Sequence, residues 1–148
     1  MQYHNDWWWP SDDKMSHIAS YNKMLEELSY VLGFVKERRV CIQAGGAVGI
    51  WPQFLSQYFE QVYSFEADPL QYECLHYNVT AMNVYKYHLA LSERGERLKI
   101  IHNPDRCNAS YVQKDASKGY KAVSSIRLGN GPWPEMSVDF ICLDVEGY

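Results

Sequence analysis

Gly45, Gly46 and Gly49 sit in a turn, GGAVG, that follows the apolar run Val40-Cys41-Ile42 and leads into Ile50 and Trp51. Buried strand, glycine turn, helix start: this order lets a ligand approach the main chain without a Cβ in the way. It also aims the free N–H groups of the first helical turn at that ligand. Glu66 ends the run Gln61–Phe65, about 20 positions beyond the turn, where an acidic side chain can accept hydrogen bonds from ribose hydroxyls. Asp144 and Glu146 follow the apolar run Val138–Leu143, and His88 closes the run Val84–His88. In open α/β sheets ligands sit outside the carboxyl ends of the strands. Carboxylates and an imidazole at that edge are therefore candidates to contact a ligand or to take a proton from a hydroxyl. The competing roles are capping of a following helix for Asp144 and Glu146, and a partly buried strand position for His88.

The elements that must position these residues alternate along the chain. A helical stripe over Lys14–Glu37 uses Ile18, Met24, Leu25, Leu28, Val31, Leu32 and Val35 at three- and four-residue steps, with Gly33 as the place for a break. A strand at Val40–Ile42 precedes a crossover helix over Ile50–Phe59 with Pro52 in its first turn. Strand Gln61–Phe65, helix Leu70–Met82 with Pro69 at its start, and strand Val84–His88 follow. Leu98–His102 is expected to be a strand, Ser110–Gln113 and Ala122–Arg127 are weaker strand candidates, Gly129–Pro134 is a turn, and Val138–Leu143 is a last buried strand. This alternation predicts an α/β domain with a mostly parallel sheet and flanking helices. Residues 1–13 form a separate Trp-rich N-terminal arm, and residues 14–148 form the Rossmann-like domain. Trp7-Trp8-Trp9 cannot all face one side, so two rings are expected to pack and one to remain partly exposed. The sharper alternative makes the arm a lid or stacking platform beside the site.

With 148 residues the chain is long enough for one domain with a real core. Charged residues are 22% and the net charge is −4, so bulk composition carries no basic footprint for nucleic acid. Cys41, Cys74, Cys107 and Cys142 include no C-x-x-C pair, which argues against a zinc site. No apolar run approaches the roughly 18 residues of a membrane span, and no signal pattern opens the chain. The expectation is a cytoplasmic, reduced protein without metal, membrane or nucleic-acid partners. The triplets at Asn78 and Asn108 are then chance matches to a glycosylation acceptor.

Ile42–Gly49, Phe65-Glu66-Ala67-Asp68-Pro69, Ala90-Leu91-Ser92 and Ile141–Gly147 (ICLDVEG) stand in one order along the chain. Together they resemble the FkbM-type family of class I S-adenosylmethionine (SAM)-dependent methyltransferases, which is marked by a glycine turn, F-E-x-x-P, A-L-S and I-K-x-D-V-E-G. The resemblance runs from Val40 to the end of the chain. It implies a Rossmann-like class I methyltransferase fold, SAM as cofactor, and O-methylation of a hydroxyl on a small-molecule or sugar acceptor. Carried over residue by residue, it implies Gln43, Gly45, Gly46, Gly49, Glu66 and Ala67 as cofactor-binding, with His88, Leu89 and Ala90 near the adenine. Asp144 and Glu146 are the implied catalytic residues. The G-x-x-x-G spacing suits that cofactor, whereas the absence of G-x-G-x-x-G sets aside an NAD-dependent oxidoreductase. Gln43 departs from the acidic residue that usually receives the cofactor's α-amino group, and Cys142 stands where lysine is common. The implied strand order, 3-2-1-4-5-7-6, leaves C-terminal strands missing, so that a homo-oligomer or the arm would cover the edge of the fourth strand. The alternative is a SAM-binding module without transferase activity. Gly45→Val separates two roles of the turn: binding lost in a folded chain if a ligand approaches it, unfolding if it serves packing.

Overall fold

The computed structural model describes residues 1–13, 18–101, 111–112, 121–133 and 138–145. In chain order these hold β1 (Gln2–His4), β2 (Trp7–Trp9), α1 (Ile18–Leu32), β3 (Val40–Ala44), α2 (Ile50–Leu55), β4 (Gln61–Phe65), α3 (Pro69–Asn78), β5 (Val84–Tyr87) and β6 (Ala90–Leu91). β7 (Arg97–Ile101), β8 (Tyr111–Val112), β9 (Lys121–Ile126), a 3-10 turn at Leu128–Asn130 and β10 (Phe140–Leu143) complete them.

The central sheet has the order β10-β3-β4-β5, every pair parallel. The chain enters at β3, steps outward to β4 and β5 through α2 and α3, then returns to lay β10 on the other side of β3. The order therefore reverses between β3 and β10, and in open α/β sheets the crevice at such a reversal is where ligands bind. A mixed α/β chain with a four-stranded parallel sheet and helices is compatible with a Rossmann-like fold.

Side chains alternate across the sheet with period two. Cys41, Val62 and Val84 face a core built with Leu28 and Leu32 of α1, Leu55 of α2, and Leu75 and Val79 of α3. Val40, Ile42, Ala44, Tyr63 and Phe65 face the other way, against Leu89, Leu91, Ile126, Trp133, Val138 and Val145. The described helices thus flank one face, while connecting segments and the second sheet cover the other. On that second face β10 leaves Ile141 and Leu143 exposed.

Helix ends are set locally. Asp68 caps α3 by accepting a hydrogen bond from the Leu70 N–H at 2.9 Å, with Pro69 in the first turn. α3 stops at Asn78 rather than Met82, because Val79 is already extended. α1 stops at Leu32, where Gly33 and Phe34 donate to carbonyls three residues back. α2 is shorter than expected for the same reason: the N–H groups of Gln57 and Tyr58 reach Phe54 and Leu55.

The remaining strands form a second sheet, β6-β9-β7-β8, in which β7 pairs antiparallel with β9 and β8, and β6 runs parallel to β9. The N-terminal arm is a hairpin. Asn5 and Asp6, with φ of +50° and +64°, make the two-residue turn that matches the strands' right-handed twist. Trp9 is fully buried in the main core and its indole N–H donates to the His4 carbonyl at 3.0 Å, while Trp7 and Trp8 are half-buried. Asn78 fastens the arm. Its amide oxygen accepts from the Trp8 N–H at 2.7 Å, and its amide nitrogen donates to the carbonyls of Trp8 at 2.9 Å and Val48 at 2.7 Å.

At the opposite end of the sheet Asp139 ties β10 to β3. Its carboxylate accepts from the Arg39 guanidinium at 2.7 Å and from the Arg39 and Val40 N–H groups at 2.8 and 3.2 Å. The hydrogen bond from Arg39 holds its pKa down at about 2. Among the described residues no helix is long and apolar enough to cross a membrane, and no group of three or more His, Cys, Asp or Glu is placed to hold a metal ion.

Candidate functional site

Gly45, Gly46, Gly49, Glu66, Ala67, His88 and Asp144 lie at the carboxyl edge of the central sheet. Gly45 follows β3 with φ +80°, and a Cβ there would collide with the main-chain carbonyl of Asp144, at the end of β10. The Asp144 N–H donates to the Ala44 carbonyl at 2.9 Å, so this backbone is fixed beside the turn. Gly46 lies against Leu75 of α3 and the Ser64 hydroxyl, and Gly49, with φ +105°, lies against Val79 and Leu75. The glycines are thus required where backbone and helix close in on the turn. This is the packing role, the second of the two that Gly45→Val separates.

The turn's donors are also engaged within the chain. The N–H groups of Gly45 and Gly46 both donate to the Phe65 carbonyl at 3.0 Å. The Ala47 N–H donates to one carboxylate oxygen of Glu66 at 2.7 Å, and the Asp68 N–H donates to the other, also at 2.7 Å. Ala47 adopts a left-handed backbone, φ +46°, which turns its N–H toward Glu66. α2 has only six residues, and Pro52 in its first turn has no N–H to offer a ligand. The N–H groups nearest the end of β3 are thus gathered on the Phe65 carbonyl and the Glu66 carboxylate.

Glu66 is 8% exposed, and burial pushes its pKa up to about 7 against the lowering effect of its backbone donors. Asp68, fully buried, adds a smaller like-charge contribution in the same direction. An ionised carboxylate has about four lone-pair sites. With backbone donors on both oxygens, Glu66 keeps lone-pair capacity for a further hydroxyl donor. The sign of the pH effect follows from the raised pKa. Between about pH 4.5 and 7 the folded chain holds a proton that the unfolded chain has released, so stability falls as pH rises through that window and levels off above it. The expected loss is on the order of 3 kcal/mol, measured by urea unfolding between pH 5 and 8. A flat or rising profile there would remove Glu66 from the titration.

Gln43 is wholly buried on the helix-side face. Its amide oxygen accepts from the Ser64 hydroxyl at 2.7 Å, and its amide nitrogen has no hydrogen-bond partner. An oxygen already engaged in this way is a weak receiver for an ammonium group.

His88 is exposed just beyond β5, a correction to the partly buried strand position. Its ring stacks on Tyr72 at 5.0 Å, and Nε2 lies 3.2 Å from the Ala67 carbonyl, which requires the Nε2–H tautomer for a hydrogen bond. Ala67, Glu66 and His88 therefore form one lip of the crevice. Leu89 packs on the second face of the sheet, and Ala90 is buried in the core of the second sheet, opening β6. Asp144 lies at the other lip, and desolvation raises its pKa. Glu146 lies outside the described residues.

Ala47 and Asp68 complete the clamp and Ser64 holds Gln43; none of the three was foreseen as a site residue. The Asp-Pro pair was a visible cap signal for Asp68. Nothing in the sequence marked Ala47 or Ser64. Compared with models of protein families the chain matches none, and no curated protein matches it.

Proposed function

We propose that the chain is a SAM-dependent methyltransferase of the FkbM type that transfers a methyl group to a hydroxyl of a small molecule or sugar. The observation that carries it is the buried Glu66 carboxylate at the carboxyl end of β4, beside the reversal point between β3 and β10. The residues fit the adenosyl group. Glu66 would accept from a ribose hydroxyl, and Ala67, His88 and Leu89 would line the base. The N–H groups of Gly45, Gly46 and Ala47 are engaged with Phe65 and Glu66, which suits a ligand without a pyrophosphate and disfavours NAD.

SAM supplies an electrophilic methyl group on sulfonium. The chain's own part is to align the acceptor hydroxyl, and such positioning can lower a barrier by about 7–11 kcal/mol. Asp144, its pKa raised by desolvation, is a better proton acceptor than an ordinary aspartate and takes the hydroxyl proton. The Gln43–Ser64 pair favours the second alternative, a module that holds SAM without turning it over, because Gln43 gives the α-amino group no charge partner.

The test is a thermal-shift series with SAM, S-adenosylhomocysteine and NAD. A ligand at 100 times its dissociation constant adds about 2.7 kcal/mol, an expected shift of about 5–11 °C in a chain of this size. Both adenosyl ligands should raise Tm and NAD should not. A response to NAD alone, or to none of the three, would overturn the proposal.

A further inference from the structure

Six rings from three parts of the chain form a continuous row along the outer side of α3. Tyr3 meets Trp8 at 5.1 Å, Trp8 meets Tyr77 at 6.4 Å, Tyr77 meets His76 at 5.7 Å, His76 meets Tyr72 at 6.4 Å, and Tyr72 stacks on His88 at 5.0 Å. Helical spacing explains the middle of it, since Tyr72 and His76 are four residues apart on α3. Both ends are tied to the site. His88 Nε2 lies on the Ala67 carbonyl, and Trp8 is held by Asn78, which also donates to the Val48 carbonyl in the glycine turn. Tyr3 and Tyr77 are 59% and 55% exposed, an arrangement that the core does not require.

The charges beside the row restrict what it can bind. Neither the hairpin (residues 1–9) nor α3 contains a lysine or arginine, and their exposed charged side chains are the carboxylates of Asp6 and Glu73. The nearby Lys86 ammonium is engaged with the carbonyls of His76 at 3.1 Å and Val79 at 2.7 Å. Among the described residues the cations beside the row are this engaged lysine and the Met1 ammonium, whose charge reaches Cys74, a sparse set for a polyphosphate ligand, which draws its affinity from several such groups. Aromatic faces carry negative potential. They complement the weakly positive C–H faces of a pyranose, while carboxylate, phenol and imidazole edges offer acceptors and donors to its hydroxyls. We propose that this row is a binding surface for an uncharged carbohydrate chain, leading it to the lip formed by Ala67 and His88. Binding to the row does not depend on methyl transfer, so its failure and the failure of the proposed function are separable.

The test uses the full chain with cellohexaose, maltohexaose and chitohexaose as neutral probes and a twelve-residue oligothymidylate as the charged one, followed by intrinsic tryptophan fluorescence and calorimetry. At least one hexasaccharide should bind and the oligothymidylate should not. The double variant Tyr3→Ala/Tyr77→Ala, altered only at exposed rings, should weaken sugar binding about tenfold or more, with Tm and the response to SAM unchanged. Binding of none of the hexasaccharides, preference for the oligothymidylate, or equal affinity in the double variant would each overturn the proposal.

Discussion

Alanine at Glu66 should remove most of the affinity for SAM and, separately, a measurable part of the folding stability. The carboxylate holds two main-chain donors at 2.7 Å, Ala47 N–H from the glycine turn and Asp68 N–H at the start of α3. Each buried donor left without a partner costs about 1–3 kcal/mol, so a loss of about 3 kcal/mol on urea unfolding is expected. That is a large share of the 5–15 kcal/mol typical of a domain. The ribose hydroxyls lose a charged acceptor contributing about 1.5–3 kcal/mol, which weakens binding by about one to two powers of ten. A pH series separates the two roles. Hydroxyls donating to Glu66 favour its ionised form, so binding to the wild-type chain releases a proton wherever Glu66 is protonated beforehand. SAM affinity should therefore rise about tenfold per unit as pH rises toward 7, where its pKa lies, and level off above. In the alanine variant that dependence should vanish. An unchanged dissociation constant in a still-folded variant would leave Glu66 as a clamp on the turn and nothing more.

The central sheet was legible because its signals are local. β4 lies over Gln61–Phe65 as its apolar run predicts, and β5 and β10 fall within one or two residues of their expected bounds. Helix ends were less legible, since α1, α2 and α3 stop where main-chain bonds shorten or where Asn78 is recruited by the hairpin, neither of which periodicity records. The hairpin itself had a readable signal in Asn5-Asp6, a pair suited to positive φ, but the three tryptophans drew attention to packing instead. The pairing of Ala90-Leu91 with Ser125-Ile126 joins segments far apart in the chain, and no local pattern announces it. For the site, residue types were legible and their partners were not. Glu66 stands where the spacing put it, yet only the structure reveals that its carboxylate grips the turn at the Ala47 N–H.

That difference between residue type and partner is sharpest at Gly45. A binding turn leaves room above its glycine, so valine there would block a ligand and spare the fold. The structure gives the opposite expectation: Gly45→Val should prevent β10 from seating beside β3. The new Cβ would meet the Asp144 carbonyl, main chain against main chain, which no rotamer change relieves. The position also has φ +80°, a conformation costing an L-residue about 1–2 kcal/mol before any overlap. Overpacking adds about 1–3 kcal/mol, so a destabilisation of about 3 kcal/mol or more is expected, enough to unfold a marginal domain. Gly45→Ala should follow in the same direction, because the clash lies at Cβ itself. Gly129→Ala is the control: its Cβ meets nothing within 4 Å and its φ is ordinary, so its Tm should stay near that of the parent chain. If Gly45→Val instead folds with an unchanged Tm and only SAM binding is lost, the contact between Gly45 and Asp144 is not what holds β10 in the sheet, and the turn belongs to the ligand after all.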